Sequence, residues 1–168
     1  KSKKAFLLGI ILICLYMLIT YRIPGLVASI ALITYVLITI ATFKLLGATL
    51  TLPGIAGLIL TIGMAVDANI IIFERIKEER RTGLNLISSV NNGFNRAFVT
   101  ILDANLTTLS AAIVLFWLGT GTIKGFAVSL SIGILTSMFS ALVVTKLLLL
   151  FTSQIAMNND KFIFKGQK

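Results

Sequence analysis

The sequence predicts an all-α membrane protein, a five-transmembrane-helix bundle, on three observations. Of its 168 residues, 57% are hydrophobic and only 12% are charged, against about 25% charged in a soluble domain. The apolar residues gather into long runs. Each approaches the ~20 residues that a helix rising 1.5 Å per residue needs to cross a hydrocarbon core of ~30 Å. Finally, the basic residues that produce the net charge of +9 flank those runs, which is where a membrane protein carries them. That placement assigns the charge to the membrane surface and implies no nucleic-acid partner.

The first span is expected over about residues 5–21, "AFLLGIILICLYMLITY". The second covers about 26–46 and follows a turn at Arg22, Pro24 and Gly25. The third, about 53–74, opens on Pro53, whose missing N–H costs nothing in a first helical turn. The fourth and fifth are expected over about 97–118 and 124–151. Residues 1–151 then form one transmembrane domain, and 152–168 a tail. Only the connector 75–96 is strongly polar. Within it Leu84, Ile87, Val90, Phe94 and Phe98 recur at spacings of three and four, the pattern of an amphipathic helix lying at the membrane interface.

Orientation follows from Lys and Arg. The connector holds Arg75, Lys77, Arg80, Arg81 and Arg96, whereas the other side offers Lys44 and Lys124. Residues 75–96 are therefore expected in the cytoplasm, together with the Arg22 turn and the tail with Lys161 and Lys168. The N-terminus falls outside, where Lys1, Lys3 and Lys4 break the rule. The conflict disappears if a large translocated domain precedes Lys1, because long domains cross largely regardless of charge. A start on Lys1 rather than Met fits a piece of a longer polypeptide. No small-residue cleavage site follows the first apolar run, so a signal peptide is not expected.

Composition also excludes function classes. There is no histidine, which removes His-based triads and His metal sites. Cys14 stands alone, so no disulfide forms within the chain and no metal-ligand spacing exists. Gly119 and Gly121 lack the following Lys-Ser/Thr pair of a phosphate loop. No enzyme, cofactor or metal chemistry is expected.

What remains is polarity inside the spans. In the third, Ala56, Gly63, Asp67 and Glu74 share one stripe, while Asn69 points to roughly the opposite side. In the fourth, Arg96, Thr100, Asp103, Thr107 and Ser110 line one face. In the fifth, Gly125, Ser129, Gly133 and Ser137 recur every fourth residue, a small-xxx-small packing face, and Gly63 is read as a further point of close approach. The tripeptide Asp-Ala-Asn occurs twice, at 67–69 and 103–105. A carboxylate at mid-bilayer costs at least ~2.5–3.5 kcal/mol on insertion scales. Asp67 lies about four turns into its span and is read as a functional acid, a proton or ion relay. Asp103 is only about two turns in, and two roles stay open for it: structural hydrogen bonding with Arg96 below, or transport chemistry. Asn69, Arg96, Thr100, Asn105 and Thr107 are read as polar support. Thr107, Thr108 and Ser110 have an alternative in their own helix backbone, and Glu74, Arg75, Glu78 and Glu79 are read as interfacial charges and helix pairs.

The stretches "TLPGIAGLILTIGMAVDANIIIFERIKEE", "FVTILDANLTTLSA", "GTGTIKGFAVSLSIGILTSMF" and "YRIPGL" closely resemble the SecD membrane region of the SecD/SecF protein-export family. The likeness runs from about Lys4 to Leu150, and these motifs are long and specific. The resemblance implies an RND-type half, spans two to six of six, with a large extracytoplasmic domain before the first span present here. It implies a multi-pass protein of the bacterial cytoplasmic membrane that works with SecF, separate or fused, beside the SecYEG channel and YajC. Proton flow would drive late-stage export of unfolded preproteins. It places the family's relay Asp of "VDAN" at Asp67 and matches Asp103 to the second motif, without fixing its role. Two other readings stay open: a proton-coupled RND-type exporter of small molecules or lipids, and a structural membrane scaffold without transport.

Overall fold

The structure is a computed structural model and describes residues 2–47 and 51–155, with the side chains of 2–7 and 155 excepted. The tail expected to be cytoplasmic, and the charges of Lys1, Lys3 and Lys4, lie largely outside these residues.

Every described element is a helix: α1 (Ser2–Tyr21), α2 (Ile23–Leu45), α3 (Leu52–Arg81), α4 (Leu86–Leu118), α5 (Thr122–Phe139) and α6 (Lys146–Ile155). Between α5 and α6 the helix continues through a π-helical segment, Ser140–Thr145, so 122–155 is one continuous rod. This makes five helical rods. Four are long and apolar enough to cross a membrane, and the described part of α1, Leu8–Tyr21, is a shorter apolar helix.

The corners have local causes. Arg22 turns the chain at a positive φ of 52°, and Pro24 sits in the first turn of α2, where its fixed φ suits a helix start. A side chain at Gly25 would overlap the Met17 carbonyl, so only glycine lets α1 and α2 meet this closely. Thr51 caps α3 by accepting from the Gly54 N–H at 3.1 Å, and Asn85 caps α4 by accepting from the Ser88 N–H at 2.8 Å. Gly83, at φ 90°, follows the C-cap of α3 and lets the chain turn toward α4.

The α3 helix is central and packs on α2, α4 and α5, whereas α1 is held mainly through α2. The largest core cluster joins Val27, Ala68, Ile72, Phe73, Ile76, Val90, Phe94, Ile101 and Leu149. Smaller clusters form around Leu32, Tyr35 and Ile62, and around Ala112, Leu130 and Ile134.

The connector 75–96 differs from a separate helix on the membrane surface. Helices of 30 and 33 residues are about 45–50 Å long, more than a ~30 Å core holds. The connector is thus the projecting ends of α3 and α4, joined by the short turn 82–85 and folded against each other. Its three–four spacing is real, but Val90 and Phe94 bury against Ile72, Phe73 and Ile76 rather than against lipid. At Gly93 a Cβ would lie 2.7 Å from the Ile76 Cα, so α3 and α4 meet closely there. The projecting ends are tied by Arg96–Glu79 at 2.9 Å, with the Glu79 side chain only 6% exposed. Arg75–Glu78 at 2.7 Å and Lys77–Glu74 at 2.8 Å are pairs within α3. The Tyr21 hydroxyl donates to Glu74 Oε1 at 2.9 Å and ties α1 to α3.

Candidate functional site: an acid in the α3–α4 groove

Between α3 and α4 lies a groove of ≈ 280 Å³. Met64, Asp67, Ala68 and Ile71 form one wall; Ile101, Ala104, Asn105 and Thr108 form the other. Each wall includes a small residue, Ala68 on α3 and Ala104 on α4. Three polar side chains reach it. Asn105 is buried and donates from Nδ2 to the Ile101 carbonyl at 2.7 Å, while Thr108 donates to the Ala104 carbonyl at 3.0 Å. Asp67 is exposed at the mouth. Among the described residues its carboxyl has neither a hydrogen-bond nor an ion-pair partner.

Asn69 has the opposite fate. A helix turns about 100° per residue, so two residues set it about 200° from Asp67. It is 3% exposed and fully engaged: Nδ2 donates to the Ala65 carbonyl at 3.1 Å, and Oδ1 accepts from the Thr145 hydroxyl at 2.7 Å. The second tripeptide repeats the pattern. Asp103 is exposed, and Asn105 is buried with its amide on the carbonyl four residues back. The groove thus combines the acid of one tripeptide with the amide of the other.

Other expected residues lie elsewhere. Arg96, Thr100, Asp103 and Thr107 do share a face of α4, but it is the exposed face turned away from the groove. Arg96 pairs with Glu79, not with Asp103, because the α3–α4 crossing places Glu79 beside it. Thr107 is spent on the Asp103 backbone carbonyl at 2.9 Å. As a packing residue Gly63 is corrected: a Cβ there would meet nothing within 4 Å, so no neighbouring helix of this chain approaches it closely. Gly125, Ser129 and Gly133 do pack on α3. A Cβ on Gly125 would lie 2.6 Å from Thr51 Oγ1, Ser129 Oγ would lie 2.8 Å from a Cβ on Gly54, and a Cβ on Gly133 would lie 2.7 Å from Thr61 Cβ. Ser137 is buried and donates to the Ile134 carbonyl of its own helix at 2.9 Å.

Three polar ties escape a reading of the sequence: Thr145 to Asn69, the Ser140 hydroxyl to the Ala31 carbonyl at 2.7 Å, and Tyr35 to Thr61 at 2.7 Å. Their only signal is hydroxyl residues scattered in apolar runs, which usually serve their own helix.

With this geometry in place, known proteins give it context. Residues 1–154 match the family described as protein export membrane protein SecD/SecF, C-terminal. A protein translocase subunit SecD from Acidaminococcus fermentans is 61% identical over 148 residues, 88% of this chain and 36% of that protein. The SecD subunit of Synechocystis is 54% identical, over 89% of this chain and 32% of its own. The chain therefore spans about a third of the length of these curated relatives. A crystal structure of SecDF, a translocon-associated membrane protein from Thermus thermophilus, superposes with a TM-score of 0.84 at 44% identity, covering 91% of this chain and 21% of that one.

Proposed function

This chain belongs to the protein export membrane protein SecD/SecF C-terminal family, and on that premise we propose that it is the proton-responsive membrane part of a Sec export subunit, with Asp67 as relay. The observation that carries the reading is the division of labour in Asp67-Ala68-Asn69. The amide is locked into the bundle, and the acid stands unpartnered at the mouth of a groove that also holds Asn105. An acid kept only for structure would be expected to hold a partner, as the buried Glu79 holds Arg96.

In this reading Asp67 gains a proton from one side of the cytoplasmic membrane and loses it to the other, and its two charge states favour different arrangements of the bundle. One elementary charge crossing 100 mV is worth ~2.3 kcal/mol, a population shift of roughly fifty-fold between two states. The projecting ends of α3 and α4 lie in the cytoplasm. A SecF-type half completes the proton path, and the SecYEG channel, with YajC, supplies the unfolded preprotein being exported.

The test is Asp67→Asn in the full subunit, assembled with its SecF partner and the channel in membrane vesicles. Asn preserves shape, so insertion and assembly stay normal. Gradient-stimulated preprotein release should fall to the level seen without a gradient, while ATP-driven early translocation continues. A normal response of Asp67→Asn to the gradient removes the relay assignment.

A further inference from the structure

The π-helical segment Ser140–Thr145 interrupts an otherwise regular helix, and such segments are frequent at functional sites. Its two ends are the points where the rod is cross-linked to its neighbours. Ser140 is 3% exposed and donates to the Ala31 carbonyl of α2 at 2.7 Å. Thr145 is fully buried and donates to Asn69 Oδ1 of α3 at 2.7 Å; the same hydroxyl lies 3.4 Å from the Ser140 carbonyl within the wide turn. Asn69 passes the chain on through its amide to the Ala65 carbonyl at 3.1 Å.

The wide turn and the Asn69 bond depend on each other. Closing the π turn to α geometry would rotate Thr145 by about 100° relative to Ser140, so the two hydroxyls could no longer reach α2 and α3 together. Breaking the bond would leave the buried Asn69 Oδ1 without its donor, at the cost of an unsatisfied buried polar atom. The link, with the packing of α3 on its neighbours, holds one side of α3 against the rod. Asn69 is pinned toward α5 and α6, and Asp67, about 200° away, is thereby turned to the open groove.

We propose that Thr145 and Asn69 are positioning residues for Asp67, and that their hydrogen bond couples the facing of the acid to the π turn. The inference rests on Asp67 as the working acid, so its test reads structure rather than export. It uses the full subunit with its SecF partner in vesicles, and compares Thr145→Val, which keeps the shape and loses the hydroxyl, with Thr145→Ser, which restores the donor. Amide hydrogen exchange across 140–146 should rise at least tenfold in Thr145→Val, because the segment then interchanges between π and α registers. Labelling of Asp67 by a bilayer-soluble carbodiimide should fall at least threefold. Thr145→Ser should return both to within about twofold of the parent. Asn69→Leu removes the same bond from the other side and should give the same two changes, which keeps the test open if Thr145→Val assembles poorly. Unchanged exchange and labelling in Thr145→Val overturns the proposal. So does a Thr145→Ser protein that behaves like Thr145→Val, since volume and not the bond would then matter. Altered exchange with unaltered labelling overturns the positioning of Asp67. None of these results requires export to be proton-driven, so failure of the relay reading would be seen separately.

Discussion

Asp67 and Asp103 stand in identical tripeptides, yet only Asp67 meets the groove. Helical spacing says that Asp and Asn two positions apart face opposite ways, and both tripeptides obey it. Spacing cannot say which of the two faces points at a neighbouring helix. That depends on the azimuth of each helix in the bundle, and on α4 it is Asn105 that lines the groove while Asp103 turns outward. The same blindness offered Asp103 as the hydrogen-bonding partner of Arg96, which does share its helix face, when the partner Glu79 comes from the neighbouring helix. Glu79 has only 6% of its side chain exposed, so losing Arg96 leaves a buried acceptor without its charge-assisted bond. Arg96→Ala should cost ~1–3 kcal/mol. Thr100→Ala on the same exposed face should cost less than ~0.5 kcal/mol. Thermal unfolding in detergent micelles distinguishes the two; equal costs would mean that Glu79 does not depend on Arg96.

Among the elements, α3 and α5 show what small residues do in a bilayer, where close backbone approach replaces the hydrophobic effect as the source of helix association. Gly133 sits where a Cβ would press on the Thr61 side chain, whereas no neighbouring helix of this chain approaches Gly63 closely. Gly133→Leu should therefore destabilise the bundle through overpacking, by ~1–3 kcal/mol or more. Gly63→Ala should be neutral or slightly stabilising, since alanine favours a helix by up to ~1 kcal/mol. Unfolding of the two variants side by side is the check, and a stable, normally assembled Gly133→Leu protein would contradict the packing role. The Gly125–Ser129–Gly133–Ser137 repeat was legible because it recurs four times on one face. Gly63 had no such repeat to support it. The connector was legible as amphipathic, but a pattern does not name its partner, and the apolar face chose α3. The π segment was not legible at all: Ser140 and Thr145 fit an uninterrupted apolar run, and a 3.6-residue period presumes the regularity that the segment breaks.

For the whole molecule, the fold was plain from composition and run length, because crossing a bilayer leaves few alternatives to helices. Orientation is a separate prediction, carried by Arg75, Lys77, Arg80, Arg81 and Arg96 at the projecting ends of α3 and α4. Exposed Glu78 offers a place to test it. In a cysteine-free background of the full subunit, with Cys14→Ser among its changes, Glu78→Cys should resist a membrane-impermeant maleimide added to intact cells and react once the cells are opened; ready labelling from outside would invert the topology. On the proposed reading, the groove, its unpartnered acid and the wide turn together let Asp67 change charge while the bundle holds. The measurement that addresses this most directly is proton entry into vesicles containing the full subunit, its SecF partner, the channel and an engaged preprotein, followed with a pH-sensitive dye in the lumen. With Asp67→Asn, preprotein-dependent proton entry should drop at least tenfold, while Asp103→Asn, facing away from the groove, should keep at least half of the parent rate. Proton entry through Asp67→Asn at the parent rate would contradict the account.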